Sequence, residues 1–165
     1  MGSIGKEILF ILVCSAGQLH FGFLLGDIIV NQQTLREAFA IPSTQLPWLN
    51  GSFLIAQGLS VIVSGSLLDL VQPRLLAVGA LLWMKTSNII GCFSLTPSRR
   101  MLSFIVRAMQ GLAVGALTST SLSMMGRIYN PGLRKTKVFS AMAVMSPFGF
   151  WLGFLQGAAF SAHLE

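Results

Sequence analysis

Five long apolar stretches, separated by short connectors, restrict this chain to a small set of folds. They cover approximately residues 8–30, 47–70, 74–95, 101–126 and 138–160. A helix needs about 20 mostly apolar residues to cross the hydrocarbon core of a bilayer, and each stretch reaches that length. Inside lipid, helices satisfy their backbone hydrogen bonds internally. The sequence therefore predicts an all-α membrane protein with five transmembrane helices.

The low content of charged residues supports the same prediction. Of the 165 residues, 53% are hydrophobic and only 10% are charged. Soluble domains carry about 25% charged residues, so this chain has too little polar surface to face water on all sides. The net charge of +6 comes mainly from basic residues near the ends of the stretches. That placement favours contact with the lipid bilayer and excludes nucleic acid as an expected partner.

The distribution of lysine and arginine predicts the orientation. With the N-terminus in the cytosol, six basic residues fall on the inner side and three on the outer side, which agrees with the positive-inside rule. The inner residues are Lys6, Arg74, Arg127, Arg134, Lys135 and Lys137. The outer residues are Arg36, Arg99 and Arg100. Glu165 would then lie on the outer face.

Ionisable residues inside the apolar stretches are candidate functional residues, because a charge in the bilayer is costly. Asp27 lies near the outer end of the first stretch, and Arg107 lies about 9 Å into the fourth at 1.5 Å per residue. Their similar depths allow two interpretations. One is an ion pair that fixes the first helix on the fourth. The other is a proton or substrate relay in which Arg107 works with Asp27 or Gln110.

Two further residues are relay candidates with open alternatives. Lys85 lies near the centre of the third stretch. It either faces the bundle and meets an anionic substrate, pairs with an unseen carboxylate, or results from drift in an unconstrained copy. His20 lies near mid-depth on the first stretch, where an interhelical hydrogen bond is the ordinary role of such a side chain.

No set of residues predicts covalent chemistry. Cys14 and Cys92 both lie in apolar stretches and suggest neither a disulfide nor a metal site. The chain shows no activated nucleophile, no paired catalytic carboxylates and no phosphate-binding loop. We therefore expect no enzyme activity, no cofactor and no metal.

Small residues recur at spacings that permit close helix packing in lipid. Four-residue spacings join Gly22 to Gly26, Gly111 to Gly115, and Gly149 through Gly153 to Gly157, and a seven-residue spacing relates Gly51, Gly58 and Gly65. These glycines predict one compact bundle. Pro147 is the only proline inside a long apolar stretch, where it removes a backbone hydrogen bond and predicts a bent helix.

The connector between the second and third stretches resembles a signature of the major facilitator superfamily. It reads Gly65-Ser66-Leu67-Leu68-Asp69-Leu70-Val71-Gln72-Pro73-Arg74. Gly65, Leu67, Asp69 and Arg74 match the signature, whereas Leu68 and Gln72 stand where glycines are usual. The resemblance implies that the acidic residue caps a helix across the bundle and that the basic residue braces this gating loop.

Three more segments resemble the same family. Arg107, Gln110 and Gly111 match its Arg-x-x-Gln-Gly signature. Pro147, Gly149, Gly153 and Gly157 are similar to the glycine and proline signature of its drug:proton antiporters. The connector Tyr129-Asn130-Pro131-Gly132-Leu133-Arg134-Lys135-Thr136-Lys137 resembles that of fungal members with fourteen spans. The resemblance covers roughly residues 7–160.

The resemblance implies a function and a domain organisation. Residues 1–165 correspond to a single truncated N-terminal domain of a transporter that exports a small organic compound in exchange for protons. The plasma membrane is the expected location. A second transporter half or an oligomer is a possible partner, because the family builds its pathway between two six-helix halves. The alternative is a truncated remnant, or an accessory membrane protein, that does not transport.

Overall fold

The described part of the chain forms five long helices. The structure is a computed structural model that describes residues 4–39, 42–93 and 100–164. Its helices are α1 (Ile4–Phe39), α2 (Pro47–Leu67), α3 (Pro73–Cys92), α4 (Arg100–Ile128) and α5 (Leu133–Leu164). All five are long and apolar enough to cross a membrane. The predicted fold class, an all-α membrane protein with five spans, is confirmed.

Several helix ends differ from the predicted ones. α1 continues to Phe39, about nine residues beyond the end of the first apolar stretch. α2 ends at Leu67, earlier than expected, because the residues that follow it form a turn. Pro73 occupies the first turn of α3, where its missing N–H has no partner to lose. Residues 94–99, which include the outer cation Arg99, lie outside the described residues.

Helices α1 and α5 pack with their backbones in close contact. A Cβ atom added at Gly22 would overlap the carbonyl oxygen of Ser146, and one added at Gly149 would overlap the carbonyl oxygen of Leu19. Gly26 and Gly153 meet the facing helix in the same way. Because glycine has no side chain, the two helices approach more closely than larger residues would allow. The predicted packing role of these glycines is confirmed.

Helix α4 is the centre of the bundle and contacts α1, α2 and α3. Gly111 lies against the carbonyl oxygen of Phe53 on α2. The Ser60 hydroxyl, also on α2, donates a hydrogen bond of 2.6 Å to the carbonyl oxygen of Leu112. On the α3 side, Trp83 Nε1 donates to the carbonyl oxygen of Met109 at 3.1 Å. A four-residue helix-packing motif and polar side chains therefore hold both neighbours on α4.

The glycines of α2 do not have the packing role that their spacing predicts. Gly58 and Gly65 have no atom of the described chain within 4 Å of an added Cβ, and Gly51 meets only the ring of Trp48 at 3.9 Å. The prediction was wrong at these positions because α2 turns a different face, containing Phe53 and Ser60, toward α4.

Hydrogen bonds show which helix ends lie together. Glu7 near the start of α1 forms an ion pair with Arg134 at the start of α5. Arg127 at the end of α4 donates to the carbonyl oxygen of Leu68, just after α2. The first residues of α1 and α5 and the last residues of α2 and α4 therefore share one end of the bundle. The orientation rule predicts that this end faces the cytosol.

Candidate functional site

A pocket of about 260 Å³ lies between α1, α3 and α4 and has the start of α2 at its edge. Its apolar lining includes Leu24, Ile28, Leu49 and Val106. Its polar lining residues are Asp27, Asn88, Ser103, Arg107 and Gln110. Three of the five predicted relay residues, Asp27, Arg107 and Gln110, therefore line a single pocket.

Asp27 and Arg107 carry opposite charges in this pocket. The electrostatic interaction between the two side chains is favourable. In the described part of the chain, however, the two groups do not form an ion pair with a nitrogen–oxygen distance of 4.0 Å or less. Instead, Asn31 Nδ2 donates to Asp27 Oδ1 at 3.0 Å. The structure therefore shows no direct ion pair between Asp27 and Arg107. The alternative interpretation, a proton or substrate relay, stays a prediction.

Gln110 is fixed by a partner that the sequence interpretation missed. Its Nε2 donates to Asn88 Oδ1 on α3 at 2.7 Å. Its Oε1 is buried and has no hydrogen-bond partner among the described residues. A buried acceptor without a partner is unfavourable, so this oxygen is available to a water molecule, a ligand or a proton donor. An amide in the middle of an apolar helix was the signal that could have identified Asn88.

His20 lies two helical turns before Asp27 on α1. Its ring stacks on Phe23 with the ring centroids 6.5 Å apart, and its Nε2 is buried without a hydrogen-bond partner in the part of the chain that the structure describes. The interhelical hydrogen bond expected for His20 is therefore absent at that nitrogen. His20 lies on the same helix as Asp27 but is not among the residues that line the pocket.

The proline and glycine segment of α5 lies directly behind this part of α1. An added Cβ at Gly153 would approach the Asp27 backbone nitrogen at 3.0 Å, and one at Gly157 would approach the Asp27 carbonyl oxygen at 3.3 Å. Pro147 lies within the continuous α5 helix. Gly149, Gly153 and Gly157 thus pack against the back of α1 while Asp27 lines the pocket, and Pro147 is exposed.

Lys85 is not part of the pocket. It lies on the exposed side of α3, whereas Asn88, three residues later, lines the pocket. Among the described helices Lys85 does not face the interior of the bundle, because α3 packs against α4 with another face. A role for Lys85 at a substrate stays a prediction.

The gating-loop residues form an exposed surface at the predicted cytosolic end. Leu67 is the last residue of α2, Asp69 lies in the turn, and Arg74 lies in the first turn of α3. Both charged side chains are exposed. The group that holds the loop is Arg127, whose Nη2 donates to the Leu68 carbonyl oxygen at 3.2 Å. The sequence indicates Arg127 only as a cation of the inner side and does not predict this contact.

A second group of side chains joins three segments at the same end. The Tyr129 hydroxyl donates to Glu7 Oε1 at 2.9 Å, and Arg134 Nη2 donates to Glu7 Oε2 at 2.5 Å. Burial of the phenol and its hydrogen bond to Glu7 raise the pKa of Tyr129 above its ordinary value of 10.0. This cluster fixes the start of α1 to the connector between α4 and α5.

A larger and more open cavity of about 790 Å³ lies at the boundary between α4 and α5. Its lining is mainly apolar, with a few polar groups near the predicted cytosolic end. The lining residues are Gln18, Leu122, Lys135, Thr136, Phe139, Ser140, Met142 and Ala143. Gln18 Nε2 donates to Thr118 Oγ1 at 3.4 Å, so α1 also contributes to this surface.

The family follows from the match of residues 9–165 to the sequence model of the Major Facilitator Superfamily. The chain belongs to the Major Facilitator Superfamily. Members of this superfamily are transporters, so the predictions of a transport family and of a protein that is not an enzyme are confirmed. No solved structure gives a significant match to this superfamily member.

The relatives of this major facilitator chain are considerably longer than it is. It is 29% identical to the multidrug transporter mdr3 of Aspergillus fumigatus over 96% of its own length and 31% of the relative's. It is 30% identical to the efflux pump terJ of Aspergillus terreus over 94% and 30%. It is 28% identical to a low affinity ammonium transporter of Saccharomyces cerevisiae over 96% and 30%. The chain therefore spans about a third of the relatives it matches.

Proposed function

We propose that the chain forms one wall of a proton-coupled exporter of small organic compounds, with the pocket around Asp27 and Arg107 as its proton-binding site. One observation carries the proposal: Asp27, Arg107 and the unpartnered Gln110 Oε1 line the same pocket between three membrane helices. Ionisable side chains in that position are typical of proton relays in transporters.

The two charges suggest how a proton would move the helices. An ionised Asp27 attracts Arg107 and draws α1 toward α4. Protonation of the carboxyl group removes that attraction and leaves the guanidinium without a counter-charge. Because the glycines pack α1 against α5 along their backbones, the two helices move as a pair. A proton on Asp27 therefore favours a different position of the α1–α5 pair relative to α4, which is the change that alternating access requires.

The substrate surface in this proposal is the open cavity between α4 and α5. Leu122, Phe139 and Met142 provide an apolar lining, and Gln18 and Lys135 provide polar groups. Apolar linings with a few polar groups are typical of sites for small organic ligands. Two relatives, the multidrug transporter mdr3 and the efflux pump terJ, support the same class of substrate for this chain.

The opposite wall of the pathway would come from helices outside these 165 residues, in the plasma membrane. Asp69 and the glycine face of α2 are exposed in the described chain, which supports a docking role for this side. A non-transporting accessory protein is the alternative, because the same exposed face would remain if no second half were present.

The experiment compares the chain alone with a chimera in which it replaces the matched segment of mdr3. Both are expressed in cells that lack their own exporters, and efflux of a panel of hydrophobic compounds is measured with and without a protonophore. We expect protonophore-sensitive efflux from the chimera, and its loss in Arg107→Ala and Asp27→Asn. Arg36→Ala, which removes an exposed cation outside the pocket, is the matched control. Unchanged efflux in the two pocket variants, at equal membrane expression, would contradict the proposal.

A further inference from the structure

The exposed side of α3 carries a regular seam. Its five residues follow one another at spacings of three, four, three and four, which is the repeat that packs one helix along another. The apolar members are 55–65% exposed, and the single charged member is exposed as well. The seam consists of Leu75, Val78, Leu82, Lys85 and Ile89. Four of these residues suit lipid, and Lys85 does not.

Lys85 is poorly placed to reach water. It lies seven residues from Cys92, the nearer end of α3, which is about 10 Å at 1.5 Å per residue. The Cα–Cβ bond of a helical residue tilts toward the N-terminus of its helix. The side chain of Lys85 therefore leans toward Pro73, away from the nearer membrane surface, and cannot easily extend its ammonium group to that surface as lysines near helix ends do.

No described residue compensates this charge. Lys85 makes no hydrogen bond or ion pair with the described part of the chain. The carboxylates lie elsewhere: Glu7 is bound to Arg134, Asp27 lines the pocket, and Glu37 and Asp69 lie at helix ends. A symmetric pair of chains joined through α3 would bring two Lys85 side chains together, so charge repulsion disfavours a second copy as the partner.

We propose that this seam docks a transmembrane helix from outside these 165 residues, and that the docked helix carries one aspartate or glutamate opposite Lys85. The apolar seam residues provide the packing, and the charged pair fixes the register, as a single polar residue does in a coiled-coil seam. Interhelical contacts between polar groups also favour association in lipid. The proposal is independent of proton transport, since no pocket residue takes part in it.

Helix-docking is tested with synthetic helices in neutral phosphatidylcholine vesicles. The full chain carries a fluorescent donor at its N-terminus, and three acceptor-labelled apolar helices carry Asp, Asn or Leu at the same central position. Energy transfer gives the affinity of each. We expect the Asp helix to bind about tenfold more tightly than the Leu helix. Lys85→Met should remove that preference, while Lys137→Met, which removes an exposed cation near the start of α5, should leave it unchanged.

A reversal of the charges keeps the test decisive if Lys85→Met perturbs the fold. Lys85→Glu should bind a helix with a central lysine and reject the Asp helix. The proposal is overturned if the Asp and Leu helices bind wild-type chain equally, or if the preference survives Lys85→Met. Vesicles containing phosphatidylglycerol test the competing explanation. A Lys85-dependent association with anionic lipid, without any preference for the Asp helix, would also overturn the proposal.

Discussion

The α1–α5 interface and the exposed glycine face of α2 carry the same sequence pattern but differ in packing. Both present glycines at regular spacings on one side of a membrane helix. Between α1 and α5, an added Cβ at Gly22 or Gly149 would overlap a backbone carbonyl oxygen of the facing helix. On α2, Gly58 and Gly65 face open space. The glycines of α1 and α5 pack against a helix of the same chain, whereas Gly58 and Gly65 meet no atom of the described chain.

This difference shows what glycine spacing encodes. A spacing of four or seven residues places small side chains on one face of a helix and permits close approach. It does not identify the helix that approaches. For Gly22 and Gly149 that helix belongs to the same chain, whereas for Gly58 it would have to come from outside the described residues. The two surfaces should therefore respond differently to the same substitution.

The largest effect on stability is expected at the α1–α5 interface. Gly22→Ala places a methyl group on the carbonyl oxygen of Ser146, and the backbones must separate. Overpacking of this kind costs about 3 kcal/mol, at the upper end of the usual range. Thermal unfolding in detergent, followed by helix content, measures the loss. Gly79→Ala on α3, where an added Cβ meets nothing within 4 Å, is the control. Equal stability of the two variants would contradict the observed α1–α5 packing.

Much of this fold could be predicted from the sequence because lipid imposes simple requirements. The length and apolar character of the stretches predict five spans, and the Arg107, Gln110 and Gly111 motif predicts the family. The face that each helix presents to its neighbour was harder to predict. Asn88 was missed because one amide in an apolar helix does not indicate its partner, and Lys85 was left open because mid-span charge alone does not distinguish interior from exterior.

A smaller effect on stability is expected at the predicted cytosolic end of α1, where Tyr129 contacts Glu7. Tyr129→Phe removes a hydrogen bond to a carboxylate and should lower the free energy of unfolding by about 1.5 kcal/mol. Thermal unfolding in detergent measures this loss too, with Phe139→Leu as a control that changes a nearby ring without removing a hydrogen bond. A Tyr129→Phe variant as stable as the wild type would show that this contact does not hold α1.

The titration of Tyr129 tests the same contact without a loss of packing. Tyr129 is the only tyrosine in the chain, so tyrosinate absorbance reports it alone. Burial and Glu7 raise its pKa in the folded state. The stabilisation is therefore present below pH 10, the ordinary value, and is lost as the pH rises through the raised pKa. Glu7→Gln should move the midpoint down toward the ordinary value. An unchanged midpoint would contradict the proximity of Glu7.

On the side of α2, Arg127→Met removes the hydrogen bond to Leu68 at the gating loop. The guanidinium is exposed, so solvent screens the interaction, and the expected loss is about 1 kcal/mol or less. Proteolysis near the α2–α3 turn should nevertheless become faster, because this contact holds the turn to α4. Arg74→Met, which changes an exposed cation of the same loop, is the matched control. Equal cleavage rates for the two variants would show that Arg127 does not hold the loop on α4.

The smallest effect is expected on the open face of α2. Gly58→Ala meets no atom of the described chain and replaces glycine with a better helix former, so the isolated chain should keep its stability or gain up to about 1 kcal/mol. In the mdr3 chimera the same substitution should be harmful to transport. If a helix of the second half packs against this face, the added methyl group obstructs it, and efflux falls while membrane expression stays constant. Efflux that is unaffected by both Gly58→Ala and the bulkier Gly58→Leu would show that the face meets lipid, and the glycine spacing of α2 would then have no packing role.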